Sequence, residues 1–442
     1  MNIALVVGTR PEIIKMTPII REMRRRDLDF QLLHTGQHYD WELSERHIPE
    51  LDLPRPKAIL PFVPREPLSR LATTIRVLAR TFRDTGTGMV VAVGDTDSTL
   101  GAAIAASRMG LPMAHIEAGC RSFDPAMPEE RNRVTISACS RVHFAPTKTA
   151  TLNLLREGIR PASIFQYGHP IVSLVSSLSE SIAEANAAQS LGLEPSRYVL
   201  ATVHREENVE DPAKLSSIFS ALAKLDLPVV FPIHPRTRRA ARRLGLFNTT
   251  GAVRLIPPVS YLAALSLIKD AAFIVTDSGG LQQEAYLLAT PCLTLRRNTE
   301  WPETVEARAN FLVGSCTETI IQMAHGVVDA RDEISRKCRA SPHIMGRPDS
   351  AMRIVAGIIE WNDQPCQLAD QMRLGYPKMR LVRMDADTYE RVRPFCHLCF
   401  TRQGLPSTEA PESYRALVHG PGILIESIKS GRSRTSYRSG VG

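Results

Sequence analysis

The chain has 442 residues, of which 43% are apolar and 6% aromatic, which is enough apolar material for two ordinary domains and a large core. Its net charge of +8 is spread along the chain, and the basic clusters at 24–26 and 236–243 are typical of solvated helix faces, so we predict no nucleic-acid partner. The eight cysteines are mostly isolated, which predicts reduced thiols. The sequence leads directly from its start into a predicted strand and has no apolar run long enough to span a bilayer, so we predict a cytoplasmic protein with no membrane partner.

Short apolar runs alternate with amphipathic stretches over most of the chain, which is the pattern of parallel sheets covered by helices. The first series of predicted strands comprises residues 3–8, 30–35, 89–94, 112–117, 142–145 and 164–168. After a stretch rich in Ser, Ala and Glu, the second series comprises residues 198–204, 229–233, 254–256, 273–277 and 292–295. We therefore predict an α/β fold of two doubly wound domains with a cleft between them.

A predicted helix at 351–361 ends this compact pattern. We expect an N-terminal domain at 1–168, a C-terminal domain at 169–361 and an extension of unknown role at 362–442. The extension is rich in Pro, Gly, Ser, Arg and Tyr, and its final stretch is typical of a frayed terminus. Its Cys396 and Cys399 have the spacing of half a zinc site, but no second ligand pair follows at a suitable spacing, so coincidence is the favoured interpretation.

Two neighbouring predicted strands of the first domain end in acidic residues. Asp95 follows one strand, and Glu117 ends the next. Ligands bind at the carboxyl ends of parallel strands, and buried carboxylates are costly unless they have a partner or a task. This edge is therefore the predicted active site, and the polar loop with Glu129, Glu130 and Arg133 follows it.

The first predicted strand leads through Gly8 and Arg10-Pro11-Glu12 into a helix that carries Lys15. Pro11 suits a first helical turn, and a helix N-terminus attracts anions, to which Arg10 and Lys15 would add full charges. The loop matches neither a Walker A nor a GxGxxG motif, so it implies neither ATP nor NAD. A surface salt bridge with Glu12 is the alternative interpretation.

A second predicted anion site lies at Ser278-Gly279-Gly280, where an apolar strand meets a helix. The glycines let backbone amides approach a phosphate, and Glu284, one turn later, is placed to accept hydrogen bonds from ribose hydroxyls. This spacing favours a nucleotide diphosphate. A simple helix cap explains the Ser-Gly-Gly segment equally well, but not the carboxylate.

Two histidines, each with an arginine close behind it, end predicted strands of the second domain. They are His204 with Arg205 and His234 with Arg236. A group that titrates near neutrality beside a permanent charge suits a diphosphate. A lone histidine at a strand end is more often structural, but two histidines that face the same predicted cleft edge leave both interpretations equally open.

An ordered set of segments closely resembles the non-hydrolysing UDP-N-acetylglucosamine 2-epimerase family: GTRPEIIKM, TGQHYD, VGDTDSTL, HIEAGCRSFDPAMPEERNR, VHREEN, TDSGGLQQEA and TEWPETVEARANFLVG. The resemblance covers residues 1–361. It implies two Rossmann-like domains as in the B-type glycosyltransferases, a UDP-sugar in the interdomain cleft, a homodimer, and no cofactor or metal. It also implies conversion of UDP-GlcNAc to UDP-ManNAc, for polysaccharide synthesis, by elimination and re-addition of UDP through 2-acetamidoglucal.

The resemblance implies roles for individual residues. The catalytic candidates are Asp95, Glu117, Glu129 and His204. The substrate-binding candidates are Arg10, Lys15, Arg133, Arg205, Ser278, Gly279, Gly280 and Glu284. The candidates for an allosteric UDP-GlcNAc site are Gln37, His38 and His234. Inversion needs proton-handling groups on both faces of the sugar ring, and which carboxylate serves which face stays open.

Departures from the family pattern keep alternatives open. Trp301 stands where many members have Arg, so Arg296 or Arg297 is expected to replace that cation, or else the sugar differs. Tyr39 and Asp40 depart from the family's allosteric segment. The alternatives are the same chemistry on a UDP-2,3-diacetamido sugar or its uronic acid, a hydrolysing epimerase, and a non-catalytic nucleotide-sugar-binding protein. Retention of every carboxylate candidate argues against the last of these.

Overall fold

The computed structural model describes residues 2–37, 50–58, 66–249, 253–363, 380–384, 413–419 and 422–428. The chain forms two compact units, of which the larger comprises Met1–Leu154 with Ser163–Glu360 and the smaller Leu155–Ala162 with Trp361–Gly442. Among the helices of these described ranges, none combines the length and the apolar character that crossing a membrane requires.

A seven-stranded parallel sheet lies in the first half of the larger unit. Its strands are β1 (Ile3–Val7), β2 (Phe30–His34), β3 (Lys57–Ala58), β4 (Met89–Val93), β5 (Met113–Ile116), β6 (Val142–Ala145) and β7 (Ile164–Gln166). Their spatial order is β3-β2-β1-β4-β5-β6-β7. β1 and β4 are apolar and buried along their whole length, as strands covered on both faces must be.

Helices follow the strands of this sheet. They are α1 (Arg10–Arg25), α2 (Pro67–Asp84), α3 (Asp97–Arg108), α4 (Pro128–Cys139) and α5 (Lys148–Arg156). The alanine-rich α3 packs its small side chains into the core. At Gly101 a Cβ would lie 2.7 Å from Thr74 Cγ2, so glycine is what lets α2 and α3 approach this closely.

A six-stranded parallel sheet lies in the second half of the larger unit. Its strands are β8 (Val199–Thr202), β9 (Val229–Pro232), β10 (Val253–Ile256), β11 (Phe273–Thr276), β12 (Cys292–Thr294) and β13 (Asn310–Leu312). Their order is β10-β9-β8-β11-β12-β13. The strand order therefore reverses between β8 and β11, as it does between β1 and β4, and doubly wound sheets bind ligands at such points.

The remaining helices are α6 (Pro170–Ser177), α7 (Ser179–Glu184), α8 (Ala187–Ser190), α9 (Glu206–Val209), α10 (Pro212–Ala223), α11 (Pro235–Arg243), α12 (Tyr261–Asp270), α13 (Gly279–Leu287), α14 (Pro302–Glu306), α15 (Thr317–Asp329), α16 (Arg331–Ala340) and α17 (Ser350–Asp363). Two 3₁₀ turns span Pro161–Ser163 and Leu246–Thr249. The smaller unit contains an antiparallel sheet of β14 (Arg380–Met384), β15 (Ser413–His419) and β16 (Gly422–Ile428), in that order.

The predicted class of two doubly wound sheets is confirmed. The sequence analysis missed β3, β13 and the strands of the extension, whereas the predicted final helix at 351–361 corresponds to α17. In the part of the chain that the structure describes, five cysteines are free thiols, namely Cys120, Cys139, Cys292, Cys316 and Cys338. Cys396, Cys399 and the expected frayed terminus lie outside the described residues, and the boundary between the first two domains stays a prediction.

Candidate active site

The turns after β1 and β4 are joined by the buried carboxylate of Glu12. It accepts hydrogen bonds from the amides of Gly8 and Thr9, each at 2.8 Å. It also accepts from the hydroxyls of Thr96 and Thr99 at the start of α3. Burial raises the pKa of Glu12, against the effect of these hydrogen bonds. The alternative interpretation of Glu12 as a surface salt-bridge partner is therefore wrong, because its side chain is buried and bound within the fold.

Glu117 follows β5 and binds two donors through one oxygen. Lys15 Nζ lies 2.5 Å from Glu117 Oε2, and His169 Nε2 lies 3.1 Å from the same atom. Burial alone would raise the pKa of Glu117, but Lys15 and His169 outweigh it and lower the pKa to about 2. Burial alone would lower the pKa of Lys15, but Glu117 and Asp95 together raise it. The structure thus brings three candidates, Lys15, Asp95 and Glu117, together at one sheet edge.

Arg133 binds carboxylates from three parts of the chain. Its guanidinium lies 2.5 Å from Asp95 Oδ2, 2.6 Å from Glu130 Oε2 and 3.1 Å from Glu300 Oε1. Of the catalytic carboxylate candidates Asp95, Glu117 and Glu129, which Arg133 was expected to hold in place, it forms an ion pair only with Asp95. Glu129 is half-buried in the first turn of α4, and no ion pair or hydrogen bond joins its carboxylate to another side chain or backbone group in the described ranges.

Glu300 lies between Arg133 and a second buried arginine. Arg296 binds both Glu300 oxygens at 2.8 Å and Asn298 Oδ1 at 2.7 Å. The guanidinium of Arg296 is buried and bound in this way, whereas Arg297 is exposed, and the expectation that one of them replaces the missing cation stays a prediction. Trp301, the departure that prompted this expectation, is buried and lies edge-on to His169, with ring centroids 5.5 Å apart.

Asp277 fixes the turn that carries His204 and Arg205. Its buried carboxylate accepts from both of their backbone amides at 3.0 Å, and His204 Nδ1 lies 3.2 Å away. With a proton on Nδ1, the His204 ring presents Nε2 as an acceptor. The side chain of Arg205 reaches the same region, with Nη2 3.8 Å from Glu300 Oε1.

The N-terminus of α13 lies close to this network. Ser278 caps the helix by accepting from the amide of Leu281 at 3.4 Å. A Cβ on Gly279 would lie 3.4 Å from Glu300 Oε2, so this first turn runs directly past the Glu300 carboxylate. Gly280 follows in the same turn. The amides of a first helical turn attract anions, as the sequence analysis expected.

Glu284 lies one turn further along α13, with Tyr261 and Arg10 as its electrostatic neighbours. Burial raises the pKa of Glu284 to about 7, against the effect of Tyr261, Arg10 and Lys15. Arg10 and Lys15 come from α1 in the first half of the chain, whereas Glu284 comes from the second. The candidate residues of the two sheets therefore meet in one place.

The raised pKa of Glu284 predicts a pH-dependent stability. Because the folded pKa lies above the unfolded value, burial of Glu284 lowers stability progressively as the pH rises from about 4.5 to about 7. Glu284→Gln removes this cost. We expect the variant to melt at a higher temperature than the wild type at pH 8 and at the same temperature at pH 4, by calorimetry. The exposed control Glu194→Gln should show no difference at either pH, and a Glu284→Gln variant less stable than the wild type at pH 8 would contradict the argument.

The structure describes two of the three allosteric candidates, Gln37 and His234. Gln37 Oε1 accepts from the amide and the hydroxyl of Ser98, at 2.9 and 2.6 Å. His234 caps α11, and its ring centroid is 6.2 Å from that of His204. His38 lies outside the described residues, as do Tyr39 and Asp40. His234 is thus a neighbour of a catalytic candidate.

The sequence analysis missed Glu300, beside the departure at Trp301, and it also missed two further residues of this site, His169 and Asp277. The signals that pointed to them were a histidine directly after a predicted strand and an aspartate before the Ser-Gly-Gly segment. Within the described ranges, no group of three or more His, Cys, Asp or Glu side chains is arranged to hold a metal ion. The site contains carboxylates that can transfer protons. It also contains cationic side chains and a helix N-terminus, which can bind a diphosphate.

Comparisons with known proteins show the family of this chain. The UDP-N-acetylglucosamine 2-epimerase family profile matches residues 21–359. A UDP-N-acetylglucosamine 2-epimerase of Methanocaldococcus jannaschii is 39% identical over 332 residues, which cover 73% of this chain and 91% of that protein. A UDP-2,3-diacetamido-2,3-dideoxy-D-glucuronate 2-epimerase of Pseudomonas aeruginosa is 37% identical over 331 residues, with 73% and 91% covered.

Solved structures show the same relationship. The crystal structure of the M. jannaschii UDP-GlcNAc 2-epimerase in complex with UDP-GlcNAc and UDP has a TM-score of 0.74 and 35% identity, and it covers 81% of this chain and 100% of that one. The ordered segments, the fold and these matches agree, and the prediction of an epimerase is confirmed. The chain belongs to the UDP-N-acetylglucosamine 2-epimerase family.

Proposed function

We propose that this enzyme interconverts UDP-GlcNAc and UDP-ManNAc by inverting the configuration at C2. The observation that carries the proposal is the pair of carboxylates Asp95 and Glu117 at the ends of neighbouring parallel strands, each bound to a cation. The M. jannaschii relative is named for this activity, and its structure holds UDP-GlcNAc and UDP.

The chemistry requires both kinds of group. The C2 hydrogen is not adjacent to a carbonyl, so it becomes acidic only as C1 gains cationic character. In the elimination, a carboxylate takes the C2 proton, the C–H electron pair forms the C1=C2 bond, and the C1–O bond breaks with its electrons leaving on UDP. Re-addition reverses these steps, with a proton delivered to the opposite face of C2. Cations on the diphosphate stabilise the leaving charge.

Glu117 is the proposed base, and its contact with Lys15 couples base strength to substrate binding. A carboxylate with a pKa of about 2 is a weak base near neutral pH. A bound diphosphate competes for the Lys15 ammonium, and loss of that partner raises the pKa of Glu117. The base therefore becomes stronger when the leaving group is in place. Asp95 and Glu129 are the candidates for proton transfer on the other face.

The other candidates are assigned to binding. The proposed diphosphate ligands are Arg10, His204, Arg205, Ser278, Gly279 and Gly280. Glu284 is the proposed partner of the ribose hydroxyls. Arg133 positions Asp95 through its 2.5 Å contact. We also propose that the domain boundaries, the homodimer, the cytoplasmic location and a role in polysaccharide synthesis are as the sequence analysis predicts.

A second candidate substrate is a UDP-2,3-diacetamido uronic acid. The P. aeruginosa relative named for this substrate is 37% identical, against 39% for the M. jannaschii relative, so similarity alone does not separate the two. The proton chemistry at C2 would be the same for both sugars.

Proton NMR in deuterium oxide tests the proposal. We expect purified enzyme and UDP-GlcNAc to give C2-deuterated UDP-ManNAc, because the inverted product takes its C2 hydron from solvent. Free ManNAc with UDP would instead identify a hydrolysing enzyme. Exchange with the diacetamido uronic acid alone would establish the second candidate, and absence of exchange with both sugars, while UDP still binds, would refute epimerisation.

A further inference from the structure

We propose that His169 is a positioning residue for Glu117: a neutral imidazole that binds one carboxylate oxygen and leaves the other to act on the sugar. The inference rests on the proposed function of Glu117 as the base. His169 directly precedes Pro170 at the start of α6, and its side chain is 0% exposed.

The contacts of the imidazole allow one tautomer. Nδ1 accepts a hydrogen bond from the amide of Ile171 at 3.0 Å, so this nitrogen carries a lone pair. The ring proton must then be on Nε2, which lies 3.1 Å from Glu117 Oε2. Burial lowers the pKa of His169, although Glu117 opposes this, so the ring stays a neutral donor. Both nitrogens are satisfied only in this state.

The ring orientation is fixed from two further sides. The backbone amide of His169 donates to the carbonyl of Met345 at 2.7 Å. Trp301 packs edge-on against the ring at an interplanar angle of 88°. The donor on Nε2 is therefore held in place before any substrate binds.

These contacts distinguish the two oxygens of Glu117. Oε2 binds both Lys15 and His169, whereas Oε1 accepts no hydrogen bond from the described residues and is not fully buried. Oε1 is thus the oxygen available to take the C2 proton. When the diphosphate draws Lys15 away, His169 keeps the carboxylate oriented without adding a positive charge that would weaken the base.

Two substitutions separate the contacts of the imidazole. In His169→Asn, the side-chain oxygen can replace Nδ1 as the acceptor for Ile171, but the donor to Glu117 is lost. In His169→Gln, the amide nitrogen can replace Nε2 as the donor, but the helix cap is lost. A positioning role predicts that the Gln variant keeps most of kcat and that the Asn variant does not.

We expect kcat of His169→Asn to fall about 10- to 100-fold, the range for loss of a hydrogen bond to a charged group, with KM nearly unchanged. Loss of the donor raises the pKa of Glu117. In the plot of kcat/KM against pH, the acidic limb of the Asn variant should therefore lie at higher pH than that of the wild type. Circular dichroism and UDP binding check the fold of both variants. The reverse order of activities, equal activities, or an unmoved acidic limb would overturn the proposal.

A measurement on the wild-type protein is independent of turnover. Nitrogen-15 NMR of histidine-labelled protein should show His169 as the neutral Nε2–H tautomer between pH 6 and 8. A protonated ring or the Nδ1–H tautomer would overturn the positioning role. If the wild type shows this tautomer but does not exchange C2 hydrogen, the proposed function fails, whereas normal exchange in both variants would overturn the role of His169 alone.

Discussion

Glu117→Gln lowers kcat by about 10²- to 10⁴-fold while UDP still binds, because a neutral amide cannot take the C2 proton. The amide oxygen can still accept hydrogen bonds from Lys15 and His169, which bind Glu117 Oε2 in the wild type at 2.5 and 3.1 Å. The local fold should therefore persist. The measurement is the rate of C2 deuterium incorporation at saturating substrate, together with titration of UDP.

A matched control is the same chemical change at an exposed position. The Glu194 side chain is 79% exposed, and among the described residues it forms an ion pair only with Arg197, at 3.5 Å. Glu194→Gln should therefore leave deuterium incorporation unchanged. Wild-type exchange in Glu117→Gln would rule out Glu117 as the base, and a large loss of UDP affinity would show that the residue acts in binding instead.

The sequence located the site through features that follow from chain order. Asp95 and Glu117 were predicted together because each directly follows a strand, and strands of a parallel sheet end at the same edge. The contacts that fix them were not predicted. His169 lies 52 residues from Glu117, and Glu300 lies 167 residues from Arg133. Periodicity shows which residues share an edge but not which distant side chain faces them.

The sequence analysis predicted the long apolar strands of the fold but missed the short ones. Strands that are apolar along their whole length stand out in the sequence from the amphipathic helices beside them. β1 and β4 are of this kind, and the sequence analysis predicted both. β3 has two residues, which is too short for any period, and β13 is a short strand within a segment without clear alternation. The strands of the extension lie in a composition that favours turns and loops, so composition obscured them.

The second large effect is expected on stability. Arg133→Met leaves Asp95, Glu130 and Glu300 without their shared cation, and loss of one partner from a buried ion network costs about 3–5 kcal/mol. Denaturant titration at pH 7 measures this. The control Arg80→Met removes an exposed pair with Asp84 and should cost less than about 1 kcal/mol.

Lowering the pH should reduce the difference in the free energy of unfolding between Arg133→Met and the wild type. Burial alone would raise the pKa of Glu300, but Arg296 and Arg133 outweigh it and hold the pKa well below its usual range. A depressed carboxylate pKa contributes stability above the unfolded pKa of about 4.5, and that contribution is lost as the pH falls toward the folded pKa. The wild type should therefore lose stability more steeply below about pH 4.5 than the variant, whose Glu300 pKa lies closer to its ordinary value. If the stability difference measured at pH 7 were unchanged at pH 3.5, its cause would be the lost packing of the arginine side chain. The loss of ion pairs with the carboxylates would then be ruled out as the cause.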